Sequence, residues 1–525
     1  MRRLLPLLVL TVACAAAPPP VAVTPGEAPP AAGPPPARNE PPKAKPERVA
    51  PAAVPPPPAA CAELVTHPIG RAGGSPFRET LAAALGQDDA VARDAALACL
   101  ESREEAPAGV LRALRAELGP EACADAIVTP ALQSPPKGLS PELEQLMLGL
   151  LVSGRLSRLL GEPPVLAPPL TKERFQPFFA EKLVPWVLAQ AAAIEKLSSD
   201  AARLSGYGRG LAAIASGNAD LRFVEMVRAV PLPDEMKADK QVNDAYYGEL
   251  DQALEPRKIR GRDAALVGLR AFAELGSLTD PRVARARRLL NQLWAGSRID
   301  ALDRLLLPPL EGLDTSKPEL ALAARLPTFY AKLLLPEVDA TDPKVLRALL
   351  ERGLPAPART KLAVATLSTP ARVLFARAEI ESGRRFFRAS DFKSARAVLG
   401  TQKTNDLGAL LGALAQALEN GPVDATELML KGPLVRGTGD VHGLDAEARR
   451  GGRFAGYAAF DAAVVIELAP KPDDPAFWEE LALRFTKAEK LLSGSALPNS
   501  AADASAAREH AVAARATAAA LRGRH

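Results

Sequence analysis

The chain is poor in aromatic side chains, in cysteine and in long apolar runs. Only 4% of its 525 residues are Phe, Trp or Tyr, and four are cysteine. So few aromatic residues, with few runs of β-branched residues, argue against a large β-sheet. Four cysteines are too few for a disulfide-stapled scaffold of this length. After the first 17 residues, no part of the chain has an apolar run as long as the ~20 residues that a membrane-spanning helix needs. We therefore predict neither a β-rich fold nor a transmembrane helix.

The sequence also lacks the common catalytic and cofactor motifs. Its four histidines are scattered along the chain, and there is no H-E-x-x-H, G-x-S-x-G or G-K-[ST] motif. The cysteines stand far apart, whereas structural zinc sites need close pairs. We predict that the protein is not an enzyme and that it has no metal ion and no cofactor.

Positive and negative side chains are nearly balanced in number. There are 65 Lys and Arg against 61 Asp and Glu, which gives a formal net charge of +4. The densest basic stretch is short, at residues 257–262, and acidic residues are interspersed with basic ones along the chain. Proteins that bind nucleic acid usually present a clustered basic face with aromatic rings that stack on bases. We therefore predict a mixed, solvated surface and no nucleic-acid partner.

The first 17 residues have the pattern of an export signal. Two arginines precede an apolar stretch, residues 4–13, which is too short to span a bilayer. The stretch ends in the sequence Thr-Val-Ala-Cys at Cys14, which resembles the lipobox of bacterial lipoproteins. The resemblance implies that residues 1–13 are removed and that Cys14 carries a lipid. Two alternatives stay open, namely ordinary signal-peptidase cleavage near Ala15–Ala17 and a cytoplasmic protein.

A proline-rich segment follows the signal. Residues 18–60 contain 17 prolines, and such a segment cannot bury enough apolar surface to fold. It is typical of a semi-rigid polyproline II spacer, with an extended reach on the order of 130 Å. We predict a disordered linker over residues 15–60 that holds the body away from a membrane. A generic disordered tail is the alternative.

From residue 75 onwards, the punctuation of the sequence predicts short helices. A capping residue followed by proline marks helix starts at Ser140-Pro141, Asp280-Pro281 and Asp342-Pro343. Glycine marks helix ends, at Gly86, Gly119, Gly276, Gly296, Gly353 and Gly400. Between these marks, apolar residues recur at helical spacing. So many short helices favour a stacked array over a single bundle.

Two segments resemble known helical repeats. Residues 89–97 are similar to the second helix of a HEAT repeat. Residues 376–399 resemble a tetratricopeptide repeat, with its glycine, aromatic, alanine and late apolar positions held by Gly383, Phe386, Phe392, Ala395 and Leu399. The glycine and the alanine let two helices pack closely, and the aromatic rings fill the space between them. The match covers one copy of the repeat.

These patterns predict an all-α fold, an α-solenoid of antiparallel helix pairs that forms a tetratricopeptide-like or HEAT-like superhelix after a disordered Pro-rich tether. Residues 1–14 are interpreted as a lipoprotein-type signal with its acceptor cysteine. Residues 61–160 are interpreted as a HEAT-like region and residues 161–368 as a further helical array. Residues 369–525 are interpreted as a tetratricopeptide-like array that ends in an alanine-rich helix.

Two local hypotheses concern reactive or polar side chains. If the body is exported, disulfides are allowed, and we predict a bridge between Cys99 and Cys123, with buried free thiols as the alternative. The glycine-rich stretch 432–453 is predicted to be a long loop. There, Asp440, His442 and Asp445 fall within six positions and are the candidate site for a cation or a substrate.

The function that these features favour is that of a lipid-anchored scaffold of the bacterial cell envelope, which binds other envelope proteins through its helical array. By the lipoprotein resemblance, Ala15 after the acceptor cysteine favours the outer membrane, facing the periplasm. A cell-wall-related envelope enzyme or enzyme regulator that uses the 432–453 loop is the first alternative. A cytoplasmic helical adaptor is the second.

Overall fold

A computed structural model of the chain describes residues 50–66, 76–275, 280–294, 301–310, 312–335, 342–350, 367–386, 389–400, 405–419, 440–468 and 473–523. Within these ranges all regular structure is helical and no strand occurs, which confirms the all-α prediction. The signal and Cys14 lie outside the described residues.

In the first part of the chain, four helices pack on one central helix, α9. In order, the helices of this part are α1 (Ala60–Thr66), α2 (Phe77–Leu85), α3 (Ala90–Leu100), α4 (Val110–Leu118), α5 (Ala124–Gln133), α6 (Pro141–Leu159), α7 (Lys172–Phe178), α8 (Val184–Ala201), α9 (Gly206–Arg228), α10 (Asp234–Ala238), α11 (Lys240–Leu275) and α12 (Pro281–Leu293). A π-helical turn, Phe179–Leu183, joins α7 to α8. Helices α6, α8, α11 and α12 all pack on α9.

The remaining helices complete the fold. They are α13 (Pro318–Arg325), α14 (Thr328–Leu334), α15 (Pro343–Leu349), α16 (Thr369–Phe386), α17 (Ala389–Leu399), α18 (Asp406–Leu418), α19 (His442–Arg450), α20 (Ala455–Leu468), α21 (Pro475–Ser493) and α22 (Ser500–Arg522). One apolar core runs from Cys61 to Leu521 through both parts. The domain boundaries at residues 160 and 368 stay predictions.

The predicted helix starts are confirmed by side-chain caps. The hydroxyl of Ser140 accepts a hydrogen bond from the backbone N–H of Leu143 (3.3 Å), and the carboxylates of Asp280 and Asp342 cap α12 and α15 in the same manner. Each cap is followed by proline, whose missing N–H costs nothing in the first turn. Gly86, Gly119 and Gly400 directly follow α2, α4 and α17. The other three predicted glycine ends, Gly276, Gly296 and Gly353, lie outside the described residues.

Helices α6 and α9 approach so closely that only glycine fits between them. A Cβ atom on Gly208 would lie 1.9 Å from the backbone oxygen of Gln145, and one on Gly149 would lie 2.4 Å from the oxygen of Gly208. Backbone contact of this kind leaves no room for any side chain. The position of the central helix therefore depends on two residues without side chains.

Helices α1–α14, the first half of the fold, close on themselves. Helix α13 packs on α2 although more than 200 residues separate them in sequence. Nη1 of Arg325 donates a hydrogen bond to the backbone oxygen of Ala82 (3.0 Å). In a simple solenoid each repeat contacts only its neighbours. Nearest-neighbour stacking therefore does not describe this half of the fold.

Helices α16–α22 do stack in sequence order, each on the next one or two. In the first pair, a Cβ atom on Gly383 would lie 2.8 Å from the ring of Phe392, and Phe392 and Ala395 are fully buried. The close packing predicted for this pair is thus confirmed.

A buried arginine ties α1, α3 and α4 together. Arg115, with a side chain that is 1% exposed, donates two hydrogen bonds to the carboxylate of Asp94, at 2.9 and 2.7 Å. It also donates to Glu101 and to the backbone oxygen of Leu64. A buried charge is tolerated only when it is paired and hydrogen-bonded, and Arg115 meets both conditions.

The linker prediction is wrong for its last ten residues. The backbone N–H of Ala52 donates to the oxygen of Ala189 in α8 (2.9 Å), and Nε of Arg158 in α6 donates to the oxygen of Pro55 (3.1 Å). Ala52 and Val54 pack on an apolar cluster formed by side chains of α6, α8, α9 and α11. High proline content lowers the chance of helix but leaves the carbonyl oxygens free to bind a folded surface. The described chain thus docks on the body before α1 begins.

The disulfide prediction is wrong in one partner. Cys123 is bonded to Cys61 instead of Cys99, with the two Cα atoms 5.2 Å apart. Cys61 lies in the first turn of α1, which packs on α5 next to Cys123. The docked segment 50–58 brings α1 next to α5. The spacing of the cysteines in the sequence does not indicate this docking.

Substitution Gly208→Ala should lower the free energy of unfolding by ~1–3 kcal/mol or more, because the new methyl group overlaps the backbone of α6. Gly248→Ala is the matched control, since Gly248 lies on α11 with nothing within 4 Å of an added Cβ. That change should be neutral or raise stability by up to ~1 kcal/mol through helix propensity. Urea midpoints of the two variants measure the difference, and equal midpoints would contradict the close approach.

The double variant Cys61→Ser/Cys123→Ser should lose stability by about 4 kcal/mol, the chain-entropy value for a closed loop of this length. Cys99→Ser is the control and should keep the bridge. Non-reducing peptide mapping by mass spectrometry identifies the linked peptides directly. A peptide that joins Cys99 to Cys123 would overturn the assignment.

Candidate functional site

Residues 442–450 of the predicted loop 432–453 form a helix, α19. Leu444 and Ala448 form its buried stripe, and Gly451, with φ +71°, ends it in the left-handed conformation. The many glycines of this stretch led to the loop prediction. They flank a short helix, so the helical spacing of its two buried residues was not recognised in the sequence. The first part of the predicted loop, residues 432–439, lies outside the described residues.

Of the three candidate side chains, that of His442 is exposed, and those of Asp440 and Asp445 make different contacts. Asp440 accepts hydrogen bonds from the backbone N–H of His442 (3.1 Å) and from the side-chain amide of Gln416 (2.9 Å). Asp445 forms an ion pair with Arg484 (3.2 Å). No group of three His, Cys, Asp or Glu side chains in the described ranges is arranged to hold a metal ion. Asp440 and Asp445 thus stabilise the start and the packing of α19.

A carboxyl group is buried in α20. Asp461 is fully buried, and its Oδ1 accepts the backbone N–H of Leu306 (2.8 Å). Its Oδ2 has no hydrogen-bond partner among the described residues. Burial raises the pKa of Asp461 to about 8, although the Leu306 N–H and the charge of Arg384 oppose the shift. Near neutral pH a large fraction of this group is therefore protonated.

Polar contacts around Asp461 join the two halves of the fold. Arg304 Nη1 donates to Glu467 (2.9 Å), and Nδ1 of His510 lies 3.2 Å from the same carboxylate. The hydroxyl of Tyr457 donates to Asp503 (2.6 Å). The segment at 301–306, α20 and α22 thus meet in one polar cluster. No sequence motif marks the residues that form it.

A second buried cluster centres on Glu117 of α4. The hydroxyl groups of Tyr207 and Tyr330 both donate to its carboxylate, the latter at 2.7 Å. Nη1 of Arg282 lies 3.9 Å away. Burial raises the pKa of Glu117, and the charge of Arg282 partly offsets that effect. The cluster fixes α4, α9, α12 and α14 to one another. The scarcity of tyrosine, five in the chain, is the only sequence signal that singles out two of its members.

The described surface has several depressions. One, of about 770 Å³, is lined by residues 101–112 and 130–138. A small apolar one, of about 80 Å³, lies between α8, α9 and α11, beside the π-helical turn. Tyr246 stands at its wall, and burial, with a contribution from Tyr247, raises the pKa of Tyr246 to about 12. Its hydroxyl therefore stays protonated at neutral pH.

Comparisons of the chain with protein-family models, with curated proteins and with solved structures find no match. Among the helices of the described ranges, none is long and apolar enough to cross a membrane.

The variant Asp461→Asn should change how stability depends on pH. An unfolded aspartate titrates near pH ~4, while the folded-state pKa is about 8. Between these values the folded protein binds more protons than the unfolded one, so its free energy of unfolding falls as the pH rises. The neutral amide removes this term, and the variant should gain on the wild type between pH 5 and pH 8.5 by several kcal/mol at most.

Urea unfolding at several pH values measures this difference. Asp88→Asn, at an exposed position, is the control and should follow the wild-type curve. Parallel curves for wild type and Asp461→Asn would contradict a raised pKa.

Proposed function

We propose that the protein is a lipid-anchored helical scaffold of the bacterial cell envelope, which binds other envelope proteins. The observation that carries the proposal is the bond between Cys61 and Cys123 behind an N-terminus of export type. Disulfides persist in oxidising compartments such as the periplasm and are rare in the cytosol. The disulfide and the export signal belong to different parts of the chain. Both favour a location outside the cytoplasm.

The binding part of the scaffold in this proposal is the array α16–α22. Its helices contact neighbours in sequence order, as in tetratricopeptide-like solenoids, whose stacked pairs form extended binding surfaces. The closed first half then acts as a platform between anchor and array. The docked segment 50–58 supports this order, because it fixes where the tether leaves the platform.

The enzyme alternative has less support. Its residues Asp440 and Asp445 are engaged in contacts within the fold, and the perturbed acids Asp461 and Glu117 are buried in polar clusters that join helices. General acid–base chemistry needs such groups within reach of a substrate.

In a bacterium with two membranes, the wild-type protein should incorporate a labelled fatty acid, and Cys14→Ala should not, because the thiol is the acceptor. Cys99→Ser should keep the label. Gel fluorescence of the immunoprecipitated protein gives the result. Unlabelled wild-type protein would end the anchor proposal, and wild-type protein in the cytosolic fraction would favour the adaptor.

Crosslinking in cells, followed by purification from the detergent-solubilised membrane fraction, tests the scaffold itself. A stoichiometric envelope partner is expected. Loss of that partner after deletion of α21 and α22, with the fold of the remaining helices checked by circular dichroism, would place binding in the array.

A further inference from the structure

A depression lies where the first half of the fold closes on itself. It has a volume of about 610 Å³ and is bounded by the start of α2, the loop 103–107, the start of α13 and the end of α14. We call it the closure groove, because it forms where α13 packs on α2 across more than 200 residues of sequence. Its volume falls within the ~300–1,000 Å³ that is usual for ligand-binding sites.

The base of the closure groove is apolar. Phe77, Ala106 and Leu333 contribute to it, and all three are partly buried and pack on the main apolar core. Leu334 beside them is 6% exposed. Apolar surface that is left partly open to solvent favours a ligand with apolar side chains, because their contact removes that surface from water.

The rim of the closure groove is acidic. Its described lining residues include one basic side chain, Arg78, and four acidic ones, Glu79, Glu104, Glu105 and Glu319. Arg78 pairs with Glu319 (3.8 Å), and Arg103 pairs with Glu105 (2.7 Å). Glu79 and Glu104 are exposed, and their carboxylates form no hydrogen bond or ion pair with any described residue. Two negative charges without a partner thus stand beside an apolar base.

The closure groove continues across the loop into a second depression. Glu104, Ala106 and Pro107 line both the closure groove and the depression of about 770 Å³ described above. A small hydrated cation would fill neither, since one water molecule occupies only ~30 Å³. An extended peptide advances ~3.3 Å per residue and turns successive side chains to opposite sides. Such a peptide can place cations at the glutamates and apolar side chains on the base.

We propose that the closure groove binds an extended segment of a partner protein in which Lys or Arg alternates with apolar residues. The apolar side chains cover Phe77 and Leu333, and the cations pair with Glu79 and Glu104. This inference goes beyond the scaffold function, which assigns binding to α16–α22. Its test needs neither the lipid nor an envelope partner, so either proposal can fail without the other.

Fluorescence anisotropy of a labelled, acetylated hexapeptide, Lys-Leu-Lys-Leu-Lys-Leu, tests the proposal with the purified full chain. Saturable binding is expected. The affinity should fall several-fold between ~0.1 M and ~1 M NaCl, because the Debye length shortens from ~10 to ~3 Å. The control peptide Glu-Leu-Glu-Leu-Glu-Leu has the same apolar side chains and the opposite charge. Absence of saturable binding, or equal binding of the two peptides, would overturn the proposal.

Two double variants locate the binding. Glu79→Gln/Glu104→Gln should weaken binding of the lysine peptide by about two- to fivefold for each carboxylate, the usual contribution of an exposed ion pair. Glu162→Gln/Glu235→Gln removes the same charge from exposed positions outside the groove and should bind the peptide as the wild type does. Equal affinities of the two double variants would assign the binding to the net charge of the chain and would overturn the proposal.

Two further measurements test the apolar base. Ala106→Trp fills the groove without a change of charge and should abolish saturable binding, whereas Ala513→Trp, at an exposed position of α22, should not. Spermidine carries about the same positive charge as the lysine peptide and has no apolar side chains, so it should displace the peptide poorly. Unchanged binding by Ala106→Trp, or displacement by spermidine as effective as that by unlabelled peptide, would overturn recognition of a peptide.

Discussion

The close approach of α6 and α9 at Gly149 and Gly208 is the constraint on which the rest of the first half depends. Because the backbones touch there, α9 is positioned against α6, and its other sides are covered by α8, α11 and α12. That arrangement also brings Tyr207, the neighbour of Gly208, to the carboxylate of Glu117. Packing and buried polar contacts are thus two results of the same two residues without side chains.

Electrostatics then joins this half to the array. Few aromatic side chains are available in this chain, and alanine-rich helices bury little apolar area each. The connections between distant segments are instead made by buried charged groups, as at Arg115 and in the cluster of Asp461 and Glu467. Such groups contribute more to a unique arrangement than to stability, since their desolvation offsets much of the attraction. A small set of buried polar contacts thus specifies how these alanine-rich helices are arranged.

Local features of this fold were predictable from sequence, and the reason is physical. Caps such as Ser140 and Asp280 act within one turn of helix, and the close pair at Gly383 and Phe392 lies within ten positions, so both leave a signature in short sequence windows. The return of α13 to α2, the partner of Cys123 and the docking of Ala52 depend on segments far apart in sequence. At the candidate site the same distinction applies: Asp440 and Asp445 look like free loop acids until Gln416 and Arg484 are placed beside them by the fold.

The cross-link at Cys61 also determines how the molecule responds to mechanical force. A pull on the N-terminal segment first loads the contacts of residues 50–58 with α6 and α8. Once these yield, tension passes from Cys61 directly to Cys123 through a covalent bond. Helices α1–α4 lie within the closed loop and experience no stretching, so their hydrogen bonds and the Arg115 cluster remain intact. A protein held at its N-terminus would thus resist unravelling from that end, and tension would enter the fold at α5.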